Sequence, residues 1–218
     1  MTSQKMNTQN ALQPAFSDPV LDSQRYFRAA LEALSRPGKI VTADGDAHEF
    51  GHPALLHPAT AGLCLTLMDG DTPVWLDCQT QGTRREIAGW LRFHCGCRIV
   101  HEPFEAVFAL ITDCQCMPRF KAFSQGTLRD PHLAATMIVQ VEDFVDSAAT
   151  HGMTLAGPGV KDCIRFTPLG LPEWFRDDLT AQRKFYPQGV DIFLTAGSRM
   201  AGLPRSVRNI HSGDAPCT

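Results

Sequence analysis

The sequence predicts an α/β fold, a single layered domain built on a mixed sheet, and three observations predict it. Helix-period and strand-period stretches interleave from residue 17 to residue 207, with no repeat, low-complexity block or linker between them. Near the end, Val190, Ile192 and Leu194 alternate with Asp191, Phe193 and Thr195 in a run rich in β-branched and aromatic residues, which reads as a strand covered on both faces. The hairpin-length turn Ala196-Gly197-Ser198-Arg199 then sends Met200–Val207 back antiparallel, so the sheet is mixed. Residues 1–16 are expected to be a flexible segment, 17–207 the α/β domain and 208–218 a tail.

The elements follow in order. Ser17-Asp18-Pro19 starts a first helix, with an oxygen side chain to cap it and proline in the first turn. Phe27, Ala30, Leu31 and Leu34 recur at i, i+3, i+4 and i+7, predicting that this stripe faces the core. Ser35-Arg36-Pro37-Gly38 ends the helix, because the residue before proline resists the α region. Lys39-Ile40-Val41 follows as a short strand, and residues 43–53 read as loop. His57-Pro58 opens a second helix through Met68, apolar nearly all round and therefore buried. The Gly70-Asp71-Thr72-Pro73 turn leads into strand Val74–Leu76.

Thr83 is the expected cap of a third helix, on which Ile87, Trp90, Leu91 and His94 share a face. Strands are predicted at Arg98–Val100, Ala106–Thr112, Thr136–Val141 and Met153–Ala156, and short helices at 117–124 and 173–184. Tyr186-Pro187-Gln188-Gly189 punctuates the start of the last hairpin, and Pro204, which cannot donate to a ladder, means that the return strand lies at an edge or ends near Arg205.

A chain of 218 residues suits one large domain, and its 44% hydrophobic share is enough for a sizeable core. A formal net charge of −3 gives no reason to expect nucleic acid or an anionic membrane as partner. No apolar run reaches the length of a bilayer span, and residues 1–17 lack the hydrophobic region of a signal peptide. A cytoplasmic location is the resulting expectation, and with it eight reduced cysteines.

Several pieces offer chemistry. His48-Glu49-Phe50-Gly51-His52 matches HExxH, which on a helix sets two zinc ligands one turn apart beside a glutamate base. That would make a free-standing zinc metallohydrolase of His48, Glu49 and His52, but Pro53 and the flanking glycines oppose the helix. Cys95-Gly96-Cys97 and Cys114-Gln115-Cys116 are two halves of a conceivable four-thiolate site, or simply small core residues. There is no GxSxG, and Gly157-Pro158-Gly159 is too short for a phosphate cradle. No catalytic, cofactor-binding or metal-binding residue is assigned. Arg28, Arg36, Arg92 and Arg205 are candidates for holding phosphate or phosphonate oxygens, to which planar guanidinium is suited. Asp191 is either an acid–base group or a hydrogen-bonded structural carboxylate.

Read together, Phe27-Arg28-x-x-Leu31 running to Ser35-Arg36-Pro37-Gly38, Asp71-Thr72-Pro73-Val74-Trp75-Leu76, Leu91-Arg92-Phe93-His94, Leu155-x-Gly157-Pro158-Gly159-Val160, Pro187-x-Gly189-Val190-Asp191 and Leu203-Pro204-Arg205 form an ordered set. In that order and spacing the chain resembles the H-subunit family of the bacterial carbon–phosphorus lyase core complex, over roughly residues 15–207. The resemblance implies a fold like the large domain of pyridoxal-phosphate-dependent transferases without a working pyridoxal site. It further implies a homodimer when isolated, G, I and J partner subunits, and no cofactor of its own. The assembly's task would be to displace adenine from ATP by a phosphonate, giving a ribose 1-phosphonate 5-triphosphate before the C–P bond is cleaved. On this reading the chain is a non-catalytic subunit, and Arg28, Arg36, Arg92, His94, Asp191 and Arg205 are its candidates for anion contact or interface. A vestigial pyridoxal enzyme is the further alternative, although Lys39, Lys121, Lys161 and Lys184 have no evident Schiff-base context.

Overall fold

The computed structural model describes residues 15–43, 50–77, 80–145 and 152–209. Helix α1 (Pro19–Ser35) is capped by Asp18, whose carboxylate accepts from the amides of Val20 and Leu21. Strand β1 (Val41–Thr42), helix α2 (Pro58–Leu67) and strand β2 (Val74–Leu76) follow. Helix α3 (Gln81–His94) is capped by Thr80 rather than by the expected Thr83, which instead supplies the amide that Thr80 Oγ1 accepts. Then come β3 (Ile99–Val100), β4 (Phe108–Ile111), β5 (Thr136–Gln140), β6 (Phe144–Val145), β7 (Met153–Ala156) and β8 (Ile164–Pro168). Helix α4 (Phe175–Gln182) precedes β9 (Asp191–Ala196), β10 (Arg199–Leu203) and β11 (Arg208–Asn209). The helix expected over 117–124 is a single 3-10 turn, Phe120–Ala122.

Among the described residues these strands form two sheets. The larger has the order β1-β10-β9-β5-β4-β2-β3. Its pairings from β9 through β5, β4 and β2 to β3 are parallel, and β9-β10 and β10-β1 are antiparallel, which is the mixed sheet expected. The smaller, β11-β7-β8-β6, is antiparallel. Pleat alternation divides the core between two layers. Leu110, Ile138 and Phe193 face a cluster with Tyr26, Leu63, Trp90 and Leu91 of the first three helices. Ala109, Ile111, Met137, Val139, Ile192 and Leu194 face the other way, onto Phe123, Leu155, Phe166, Phe175 and Leu179.

Three expectations need correction, and one resolves between its alternatives. Of an edge position or an end near Arg205 for the return strand, the structure has the second, because β1 pairs along β10 (Val41↔Met200, Thr42↔Arg199), the Gly38 amide donates to the Gly202 carbonyl, and the strand ends at Leu203. Pro204 lies just beyond the strand, so its missing donor never bears on β10. On α1 the core-facing residues are Asp22, Tyr26, Ala29, Ala30 and Ala33, while Phe27 and Leu31 are exposed. Small residues let the helix press close to its neighbours: a Cβ at Gly202 would stand 2.6 Å from the Ala33 carbonyl, and one at Gly62 only 2.1 Å from the Tyr26 ring. Phe16, placed in the flexible segment from sequence, is buried against Tyr26 and Phe50. Arg208 and Asn209 belong to a strand rather than a loose tail, and Asn209 Oδ1 accepts from the Thr154 amide at 3.1 Å.

Candidate functional site

Asp191 and Arg205, two residues singled out from sequence, meet at the amino-terminal end of β9. The Arg205 side chain donates to both Asp191 oxygens, with Nη2–Oδ2 at 2.6 Å and Nε at 3.2 Å from each, and its backbone amide donates to Oδ1 at 2.8 Å. Nη1 reaches the carbonyls of Pro131 (2.5 Å) and Pro187 (3.4 Å). One guanidinium therefore clamps the loop between β4 and β5 to the turn that leads into β9. The two loops also bond directly, from the Gly189 amide to the Gln125 carbonyl and from Gln188 Nε2 to the Gly126 carbonyl. Gly189 sits at φ +134 with a Cβ position 3.2 Å from the Arg205 Cβ, so a side chain there would be strained and crowded.

The clamped loops display Leu128, Leu133, Phe185 and Tyr186, all exposed. The Arg183 guanidinium lies 4.7 Å from the Tyr186 ring centroid, a cation–π contact at the surface. Exposed aromatic and aliphatic side chains beside arginine are the usual composition of a protein-binding patch. Chemically the arrangement is a rigid apolar presentation, with Arg205 and Asp191 engaged in holding it. Within β10, Met200, Ala201 and Leu203 are fully buried, so they take no part in this patch.

The remaining arginines do not gather around an anion. Arg28 lies on α1 and donates Nε to the Gln24 carbonyl, and Arg36 caps the carboxyl end of that helix 3.6 Å from Glu32. Arg92 and His94 lie in the last turn of α3, and the His94 ring packs 5.1 Å from Trp90 and 4.8 Å from Phe93.

The carboxyl ends of the parallel strands are the usual ligand position in such sheets, and polar residues not singled out from sequence converge there. Asp77, just after β2, accepts from the Thr112 amide (2.8 Å), the Asp113 amide (2.9 Å) and Thr112 Oγ1 (3.0 Å) after β4. Burial raises its carboxyl pKa and outweighs these donors. Gln140 at the end of β5 accepts from the His57 amide (2.6 Å) and donates to Leu55 (3.0 Å), while the Thr60 and Thr195 hydroxyls meet at 2.7 Å. Burial lowers the His57 pKa, against a contact of Nδ1 with the Thr195 carbonyl. These groups tie α2 to the sheet. Their long sequence separations left no local signal to read.

His48 and Glu49 lie outside the described residues, and His52 follows Phe50 and Gly51 in an irregular stretch before α2. The two CxC pairs do not meet: Cys95 and Cys97 pack with Cys64 on the helical side of the sheet, and Cys114 belongs to the opposite core. Among the described residues no group of three or more His, Cys, Asp and Glu side chains is placed to hold a metal ion. Lys39 pairs with Glu32 at 2.5 Å, and Lys121, Lys161 and Lys184 are exposed. No helix among the described residues is long and apolar enough to cross a membrane.

A family model described as bacterial phosphonate metabolism protein (PhnH) matches residues 14–209. A Rhizobium meliloti (strain 1021) protein named alpha-D-ribose 1-methylphosphonate 5-triphosphate synthase subunit PhnH is 34% identical over 194 residues, 89% of this chain and 93% of its own length.

Proposed function

The chain belongs to the bacterial phosphonate metabolism protein (PhnH) family, and from that premise we propose that it is an accessory subunit of the carbon–phosphorus lyase machinery. In that role it supports formation of alpha-D-ribose 1-methylphosphonate 5-triphosphate from ATP and a phosphonate. The observation that carries the reading is near full-length similarity to a protein named as a subunit of that synthase. The Arg205–Asp191 clamp supports it physically, since both residues are spent on rigidifying an exposed apolar surface.

The chain docks G, I and J subunits through Leu128, Leu133, Phe185 and Tyr186, is a homodimer when isolated, works in the cytoplasm and has no turnover alone. Its larger sheet is of the kind found in the large domain of pyridoxal-phosphate-dependent transferases, without the cofactor. A parallel core with an antiparallel hairpin at one side supports that likeness. Adding pyridoxal phosphate should therefore give no Schiff-base absorbance band.

Co-expression of the tagged chain with the three subunits tests the central reading. Wild type should retain them and Phe185→Glu/Leu133→Glu should not, with both proteins melting alike. Steady product formation by the isolated chain, or full partner retention by the double variant, would refute the role or the surface respectively.

A further inference from the structure

Helix α1 carries a second outward surface, remote in sequence from the clamped loops. Because its small residues take the core-facing side, the outer side is left with Val20, Gln24, Phe27 and Leu31, at spacings of 4, 3 and 4, while Leu34 tucks partly against the core. Val20 is 66% exposed, Phe27 48% and Leu31 53%. Alternating steps of four and three are the seam along which one helix packs lengthwise on another. From Val20 to Leu31 the ridge runs about 16 Å at 1.5 Å per residue, about three turns of the helix.

One border of this seam is basic. Arg25 holds Asp22, Arg36 is shared with Glu32, and Arg28 has no carboxylate partner among the described residues. Beside Arg28 opens a cleft of about 250 Å³ lined by Arg25, Ala29, Glu32 and Thr42. An antiparallel copy of α1 laid along the seam would bring Arg25 and Arg28 toward their own counterparts, a like-charge arrangement that disfavours self-pairing. The chain's first 14 residues contain neither aspartate nor glutamate, so they do not supply the complementary charge.

We infer that α1 is a docking ridge for an amphipathic helix of another subunit, apolar along one face and acidic along the adjoining edge, with one carboxylate seated in the Arg25–Arg28 cleft. The inference rests on the chain being a subunit of the synthase assembly, and it adds a surface distinct from the Phe185 loops.

The test co-expresses four tagged chains with the G, I and J subunits: wild type, Phe27→Glu/Leu31→Glu, Arg28→Glu, and Phe185→Glu/Leu133→Glu. Retained subunits are quantified at low and high salt, and each isolated chain is checked for melting temperature and native mass. Both α1 variants should melt like wild type, keep its native mass, and retain at least about tenfold less of one subunit. Raising the salt should weaken wild type toward the Arg28→Glu level. Full retention by both α1 variants while wild type retains its partners would overturn the inference and leave the subunit reading intact. A changed native mass without loss of partners would make a second copy the occupant and overturn it too. Wild type that retains nothing would overturn both readings.

Discussion

Replacing Arg205 by alanine is the most direct trial of the clamp. Arg205 and Asp191 are 15% and 23% exposed in their side chains, so the pair is neither a solvated surface contact nor a sealed one. Hydrogen bonds to charged groups are worth about 1.5–3 kcal/mol, and surface ion pairs only about 0–1. Arg205→Ala removes the guanidinium contacts to Asp191 and frees the Pro131 and Pro187 carbonyls, while the backbone amide of residue 205 still donates to Asp191. Allowing for the remaining exposure, the loss should be about 2–3 kcal/mol. At about 2–4 °C per kcal/mol for a chain of this size, the melting temperature should fall by about 4–12 °C. Urea unfolding of Arg205→Ala, Asp191→Ala and the double variant completes a mutant cycle, with an expected coupling of about 1–2 kcal/mol. A coupling indistinguishable from zero, with unchanged melting, would mean that the two loops are held by other contacts and that the clamp argument is wrong.

Three other outcomes are expected. Gly62→Ala should destabilise by about 1–3 kcal/mol or more in urea unfolding, since its Cβ would fall 2.1 Å from the Tyr26 ring, which is itself packed. His57 and Asp77 should imprint opposite slopes on stability against pH. The folded His57 has a lowered pKa, so it costs stability as pH falls below about 6.5, and His57→Gln should flatten that limb. The folded Asp77 has a raised pKa, so its contribution is present in acid and is lost as pH rises above about 3.9 toward the folded value; Asp77→Asn should remove that decline in urea midpoints measured from pH 4 to 8. Burial pushes the Cys95 thiol to about 12 and Cys114 to about 11, so mass spectrometry after brief alkylation at neutral pH should find exposed Cys163 labelled well before either.

What was legible in the sequence was whatever carried its own period. β9 is announced by the β-branched and aromatic run over Val190–Thr195, and β2 by the Gly70-Asp71-Thr72-Pro73 turn before it. β8 is not among the strands predicted above, although Ile164 and Phe166 alternate with Arg165 and Thr167, the ordinary signal of a half-buried strand. β6 and β11 are two residues long and hold no periodic signal at all. On α1 the apolar stripe predicts that large residues face the core, but close approach selects alanine for that side and turns Phe27 and Leu31 outward. Asp191 and Arg205 could be picked out individually. That the guanidinium also reaches Pro131, 74 positions away, could not, because the bond depends on a loop whose path no local pattern fixes.

Four of the motifs scattered along the chain meet in two pairs, and a fifth bonds the start of β4. Ser35-Arg36-Pro37-Gly38 lies against Leu155-x-Gly157-Pro158-Gly159: a Cβ on Gly159, at φ +82, would stand 1.9 Å from the Ser35 carbonyl oxygen, and one on Gly38 would stand 3.0 Å from Leu155. Only glycine at both positions lets the end of α1 rest on the smaller sheet. Pro187-x-Gly189-Val190-Asp191 meets Leu203-Pro204-Arg205 through the clamp. Pro73 of the Asp71–Leu76 motif accepts both the Val107 and Phe108 amides at the start of β4. Each pairing fixes where one layer or loop sits on another, so the Phe185 loops are held by the Arg205–Asp191 clamp and the end of α1 by the close approach of Gly159 to Ser35.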